Sequence, residues 1–454
     1  MNSSNRSIWL PGIFVLGLAV TMLAMFGCQG ILSGPETPTA QENPAANQTD
    51  TTVSTKNIVP TIVPVSTVTT PESGPALITI WMAEPISPKA DGAAGEFISN
   101  VLVEFEQANP GLSVKWQLKK PAGKGGVVDF LRTATAAAPT VLPDVVIMQA
   151  TDLNQASLDK LIQPLDGKLD RVIVQDLLPA ARRVGTVNER LMGVPLGLEM
   201  EHVVYNTRVF TGTPIMWTDI FSKNSHYLFP AKGVNGLVND ASLSQYFSAG
   251  GELVDERGAP KINEQALLTV LTTYENALNA GLIDQTLLEA DSTEDLWPIY
   301  LQGQVGLTQI SVKQYLTDRE QLHSSAVSGV PLYKSVDKSV GVMHAWVMAL
   351  TTTDPTRQEN AVKLIETFLS TTNNANWNEI NKSIPVRDTS YQLLAGDDEY
   401  WVFLTDMLNS ARPEPRFAGY DQVGRILQQS IEQVIRGEAT AAEAATAAVD
   451  VLTQ

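Results

Sequence analysis

Cysteine occurs once in 454 residues, at Cys28, which excludes both an intramolecular disulfide and a thiolate zinc cluster. Histidine is nearly as scarce: His202, His226, His323 and His344 are scattered without metal-ligand spacing. Positive charge is also short. Lys+Arg 31 against Asp+Glu 49 leaves a net charge of -18, a balance that repels phosphate backbones and argues against nucleic acid as a partner. The glycine-rich Gly123-Lys124-Gly125-Gly126 lacks the spacing and the following Ser/Thr of a phosphate-binding loop. Glu199 and Glu201 would share one side of a strand, as a glycosidase pair could, but no nucleophile and base stand together anywhere in the chain. The sequence therefore reads as a non-enzyme with no cofactor. What is present is an ordinary globular composition, 44% hydrophobic and 18% charged, in a chain longer than one core usually serves, so two lobes are expected.

The single cysteine is informative by position. Arg6 precedes an apolar run from Ile8 to Phe26, and Gly27-Cys28 closes it, the pattern of an export signal over residues 1–27. A small residue directly before a cysteine resembles the bacterial lipoprotein cleavage site, which implies acylation of Cys28 and a body held at the membrane by its lipid. The run is also long enough to span a bilayer, so an uncleaved anchor is the second reading. Both place the body outside the cytoplasm, on the outer face of the membrane or in a periplasm. Residues 28–75 are rich in Pro, Thr, Ser and Ala, with prolines at 35, 38, 44, 60, 64, 71 and 75. Such a stretch cannot bury enough apolar area to order itself and reads as a tether.

The body opens on a β-branched run, Leu77 to Trp81, followed by Phe97, Ile98, Val101, Leu102 and Phe105 at helical spacing, with Asn109-Pro110-Gly111 as the stop. Val114, Trp116 and Leu118 alternate as a second strand. A helix near Val127–Ala137 then leads to a third strand, Val145 to Met148. The order βαβαβ implies a parallel sheet covered by helices, with ligand beyond the carboxyl ends of its strands. The run Gly193 to Glu199, with two glycines and a proline ahead of His202 to Asn206, suggests a crossing between lobes. Further on, Val342–Leu350 reads as a strand, Asp354-Pro355 as the start of a helix, Gly437 as a helix stop, and Thr440 with Glu443 as a capping box.

Taken together, the stretches ITIWM, FEQANPGLSV, LPDVVIM, LMGVPLGLEMEHVVYNTRVF, FSAGGELVDERGAPKINE, YLQGQVGLTQI, HAWVMAL, IPVR and IRGEATAAEAATAAV make the chain resemble the extracellular solute-binding proteins of family 1. These are the maltose-binding-like receptors of ABC importers. The resemblance implies a type II periplasmic-binding α/β fold, two lobes joined by hinge strands with a ligand cleft between them. It implies lobe one at about 76–197 plus 340–388 and lobe two at about 205–338 plus 390–454. It also implies a small polar ligand, a mono- or oligosaccharide, and the transmembrane subunits of a permease as partner. A sensing receptor of the same fold is the runner-up reading, and a secreted glycoside hydrolase the third.

A sugar has apolar C–H faces and a rim of hydroxyls, so its receptor needs a flat aromatic platform and polar groups around it. Trp81 and Trp346 are the expected platforms, against the alternative that each is lobe core. Glu84, Gln149 and Glu199, at strand ends or at the crossing, are the expected hydroxyl partners. Gln309 matches a segment lining lobe two in relatives, and Arg416 and Tyr420 match a cleft-lining loop. Ser311-Val312-Lys313 stands where many carbohydrate-binding relatives carry an aromatic.

Overall fold

The computed structural model describes residues 74–333 and 338–453. The export segment, Cys28 and nearly all of the tether lie outside them. The chain lays down β1 (Ala76–Met82), β2 (Leu112–Leu118) and β3 (Val145–Gln149). It continues through a small hairpin, β4 (Thr186–Val187) and β5 (Arg190–Leu191), to β6 (Val194–Pro195). The next group is β7 (Glu199–Asn206), β8 (Tyr227–Leu228), β9 (Leu307–Ser311) and β10 (Ser325–Ser328). The last strands are β11 (Val342–His344), β12 (Trp346–Leu350) and β13 (Arg412–Pro413).

These strands form two main sheets. The first has the order β2-β1-β3-β12-β6, and the second β13-β11-β7-β9-β8 with β10 also on β7. In the first sheet β1 runs parallel to β2 and β3, as the βαβαβ order requires, and β12 returns antiparallel with Trp346 opposite Gln149. The helix Ala93–Ala108 buries Ile98, Val101, Leu102 and Phe105 and ends where Asn109 bonds back to Phe105 and Glu106. The expected helix at Val127–Ala137 forms over those residues.

Each sheet has its own hydrophobic core. Ile78, Ile80, Val146 and Met148 belong to the first; Val203, Tyr227, Tyr274 and Leu307 belong to the second. The C-terminal helices close the second core: Tyr420–Ile435 buries Val423, Leu427, Ile431 and Val434, Gly437 turns at φ 71°, and Thr440 and Glu443 form the expected capping box. One stretch packs elsewhere than expected. The resemblance implies residues 390–411 in the second lobe, yet Tyr391, Tyr400, Trp401, Leu404, Met407 and Leu408 are part of the first core. The helix Glu399–Ser410 lies against Pro179–Gly185, where the Arg183 guanidinium donates to the Leu408 carbonyl. An amphipathic helix carries no address in its own sequence, and only the tertiary partner decides which core takes its apolar face.

Among the described residues the chain passes between the two main sheets three times, at 196–198, at Ala345 and at 411–412. The run 342–350 is not the single strand its sequence suggests: Ala345 divides it into β11 in one sheet and β12 in the other. The first crossing is held by side chains, since Asn374 and Asn378 both donate to the Leu196 carbonyl and Leu198 pairs with Ile384. Gly197 permits this closeness, because a Cβ there would stand 2.1 Å from Asn378 Oδ1. Asn378 is fully buried and bonded to Asn374 and Ser383, so it cannot step aside. Gly197→Ala is expected to lower stability by about 1–3 kcal/mol, the usual cost of overpacking a filled site. Urea denaturation measures this, and an unchanged midpoint would show that the crossing has slack.

Candidate functional site

Residues at the second crossing and just beyond the first and third line one cavity of about 210 Å³. Gln149 and Ala150 come from the carboxyl end of β3, Glu199 from the start of β7, His344 to Trp346 from the second crossing and Glu414 from just past the third. Backbone pairing fixes their positions: the Ala345 carbonyl accepts from Ala150, the Trp346 carbonyl from Leu196, and the Met343 carbonyl from Glu414. Larger depressions, of about 470 and 410 Å³, lie at Glu275, Arg436 and Glu443 and at Arg319, Lys382 and Trp401. Neither is lined by these crossings.

Three of the expected site residues meet in this cavity. Trp346 is half-buried, Gln149 lies opposite it in the strand register, and Glu199 is exposed on the wall. Among the described residues none of these three side chains has a hydrogen-bond or ion-pair partner. The other expected residues sit differently. Trp81 is only 2% exposed and belongs to the first core, its ring edge-on to Phe130 and covered by the Lys119 ammonium at 4.4 Å. Glu84 is exposed and opens a short 3-10 turn away from the cavity lining. Gln309 is fully buried behind the wall, accepting from Tyr227 at 3.1 Å and donating to Glu201 at 2.8 Å. Arg416 donates to four backbone carbonyls, those of Ala150, Arg183, Val184 and Thr186. It thereby fastens the segment after the third crossing to the end of the helix Pro179–Gly185, where a cation complements the exposed carbonyls. Tyr420 is half-buried; burial and the neighbouring charges of Glu414 and Asp240 push its phenol up.

Sequence reasoning missed the charged part of the wall. His344 Nε2 lies 2.5 Å from a carboxylate oxygen of Asp240 and Nδ1 2.7 Å from one of Glu414. Burial and Glu414 push the Asp152 carboxyl up to about 6. The one local signal was Glu414, an acid between two prolines in a loop that has to be extended. Asp240 carried none, because its partner lies 104 residues away. Among the described residues no group of three or more His, Cys, Asp and Glu is placed to hold a metal ion, and no helix is long and apolar enough to cross a membrane.

A platform, an amide and free carboxylate at the meeting of two lobes is an arrangement for holding a polar solute. The sequence model of the bacterial extracellular solute-binding proteins matches residues 100–402. The chain belongs to that family. No curated protein sequence matches this solute-binding protein significantly. Its fold is that of solved two-lobed binding proteins. The cyclic alpha-maltosyl-1,6-maltose binding protein of Arthrobacter globiformis is 16% identical, with 84% of this chain and 98% of that one covered at a TM-score of 0.67. The sugar-binding protein MalE of Xanthomonas citri is 16% identical over 83% and 97%, with a TM-score of 0.66. An ABC transporter solute-binding protein of Thermotoga lettingae, bound with alpha-D-tagatose, is 18% identical over 83% and 98%, with a TM-score of 0.61.

The layer behind the cavity has a pH signature. Burial, with Asp240 close by, pushes the Glu201 carboxyl up, and the bond from Gln309 only partly opposes this. The folded protein keeps a proton there that the unfolded chain releases near its ordinary value of about 4.3, so stability falls as pH rises from that value through the raised one. Glu201→Gln keeps a partner for Gln309 and removes the titration. Its stability relative to the natural protein is expected to improve between about pH 5 and about pH 8, by ~1.4 kcal/mol for each unit by which the carboxyl is raised. Urea denaturation at the two pH values measures it, and a difference independent of pH would mean that Glu201 titrates normally.

Proposed function

We propose that this solute-binding protein is the substrate-binding subunit of an ABC importer, holding a small sugar in the 210 Å³ cavity and delivering it to the permease by lobe closure. The lobes would divide as the two cores do, with residues 390–411 in the first. The observation that carries the reading is the free trio on the cavity wall: a half-buried indole for the C–H face of a sugar ring, with Gln149 and Glu199 unspent at its rim. A cavity below the ~300–1,000 Å³ of drug-sized pockets favours a mono- or disaccharide over a long chain. The relatives whose names state a ligand bind saccharides, which agrees with this chemistry. Closure would be driven by how much better the sugar binds the closed form than the open one.

The test is a thermal-shift screen against monosaccharides and maltose, since binding to the native state alone raises the melting temperature. At least one sugar should raise it, and silence across the sugars with a response to an amino acid or polyamine would discard carbohydrate. With a binding sugar in hand, Trp346→Ala should weaken affinity about tenfold or more, a loss of ~1.4 kcal/mol per tenfold, and leave the melting temperature of the ligand-free protein nearly unchanged. Lower stability with unchanged affinity would assign Trp346 to packing.

Membrane attachment would rest on Cys28, which resembles a lipidation site at the end of the export segment. Cys28→Ser is expected to abolish labelling by a fatty-acid analogue and to release the body from membranes. Labelling that persists in this variant would place the lipid elsewhere.

A further inference from the structure

Arg416 lies on a stretch whose backbone is anchored to the second core on both sides. Ahead of it, β13 pairs with β11 in the second sheet, and the Arg412 guanidinium makes two bonds to Glu252, at 2.8 and 3.0 Å, while lying 4.7 Å from the centre of the Phe247 ring. Behind it, Phe417 and Tyr420 pack against the second core, which the helix Tyr420–Ile435 then closes. The Arg416 side chain leaves this setting. Its guanidinium donates to the carbonyls of Ala150 at 3.0 Å, Val184 at 2.6 Å, Arg183 at 3.2 Å and Thr186 at 2.9 Å. Ala150 and Val184 are buried in the first core, and Arg183 and Thr186 flank Val184 at the end of the helix Pro179–Gly185. One side chain thus bonds directly from the second core's chain to the first core's backbone. The join reaches the cavity on both sides, since Ala150 lines it and so does Glu414, two residues ahead of Arg416. Another polar contact between the cores, from the Tyr400 hydroxyl to His202 Nε2 at 2.9 Å, involves no residue of the lining.

We propose that Arg416 is a positioning residue of the cavity: a joint of hydrogen bonds beside the three crossings of the chain, it holds the wall at Gln149 and Ala150 at a fixed spacing from the wall at Glu199 and Glu414. Gln149 and Trp346 stand on strands of the first sheet and Glu199 on a strand of the second. A solute gripped by all three is sensitive to that spacing. The effect on ligand rests on the cavity being the sugar site; the joint itself does not. The acceptors explain why the residue is an arginine. They lie on two separate segments, the end of β3 and the end of the helix Pro179–Gly185. A planar fork with five N–H donors reaches both segments at once, whereas a lysine ammonium places its three donors around one point.

The experiment uses the full chain with a ketone-bearing amino acid at the exposed Val172 and Val234, each carrying a spin label, so that Cys28 stays native. Val172 is followed by Ile173 and Val174, which pack on the first core, and the Val234 turn leads to Val238 of the second. Pulsed electron resonance reads the distance between the labels without any sugar. A narrow distribution is expected for the natural protein and a broad one for Arg416→Ala. Millimolar ethylguanidinium, which replaces the missing fork, should narrow the Arg416→Ala distribution again and leave the natural one as it is. Arg416→Lys should stay broad, and if Arg416→Ala does not fold, Arg416→Lys alone decides. With a binding sugar, Arg416→Ala should weaken affinity about tenfold, and ethylguanidinium should recover it. A lower melting temperature with an unchanged distribution would make Arg416 only a cap on the helix Pro179–Gly185 and overturn the proposal. Broadening that ethylguanidinium does not reverse overturns it as well. A silent sugar screen would instead discard the sugar reading while leaving the distance result standing.

Discussion

The molecule depends on how an extended chain satisfies its polar groups while passing from one core to another. Inside a sheet the ladder does this automatically, but a crossing leaves the ladder and every buried N–H and C=O must find another partner. Here Leu196 is met by two asparagine side chains and by Trp346, Ala345 by Ala150, and Glu414 by Met343. The crossings therefore lie against one another and against the end of β3, and the cavity is the space they cannot fill. Its wall is built from residues at or just beyond the points where the chain passes from one sheet to the other.

Two histidines show how strongly that setting governs charge. His202, on β7, is fully buried; its Nδ1 donates to the Val203 carbonyl and its Nε2 accepts from the Tyr400 hydroxyl. Burial lowers its pKa to about 4, and rings from Tyr315, Tyr400 and Phe403 surround it. It is a neutral packing residue joining the second sheet to the helix Glu399–Ser410. His344 loses water too, but the carboxylates of Asp240 and Glu414 lie against its ring nitrogens and more than offset this, holding its pKa well above the ordinary value. Partner chemistry rather than burial separates the two, since desolvation acts in the same direction on both.

Much of the fold was legible because periodicity is local. Helix faces, the three parallel strands, the capping box at Thr440 and the first crossing all follow from residues within a few positions of one another. The break at Ala345 was not, because the apolar run continues through it and only sheet pairing shows that its halves belong to different lobes. The site was half legible for a related reason. The carboxyl end of β3 does open on the cavity, at Gln149, but the end of β1 is covered by Lys119 and Phe130, which makes Trp81 a core residue. Which strand end stays open depends on side chains that arrive from elsewhere in the chain.

That distinction also separates the polar residues that hold the fold from those able to hold a solute. Arg416, Gln309 and His344 are all polar, all near the cleft, and all already bonded within the protein. Turning any of them toward a ligand would break bonds whose partners would be left unpaired, at a cost comparable to what the new contact supplies. Gln149, Glu199 and Trp346 have no such bonds to break. Under the proposed function, recognition would therefore fall to the trio that the fold leaves unspent, with the bonded set around it keeping that trio in place.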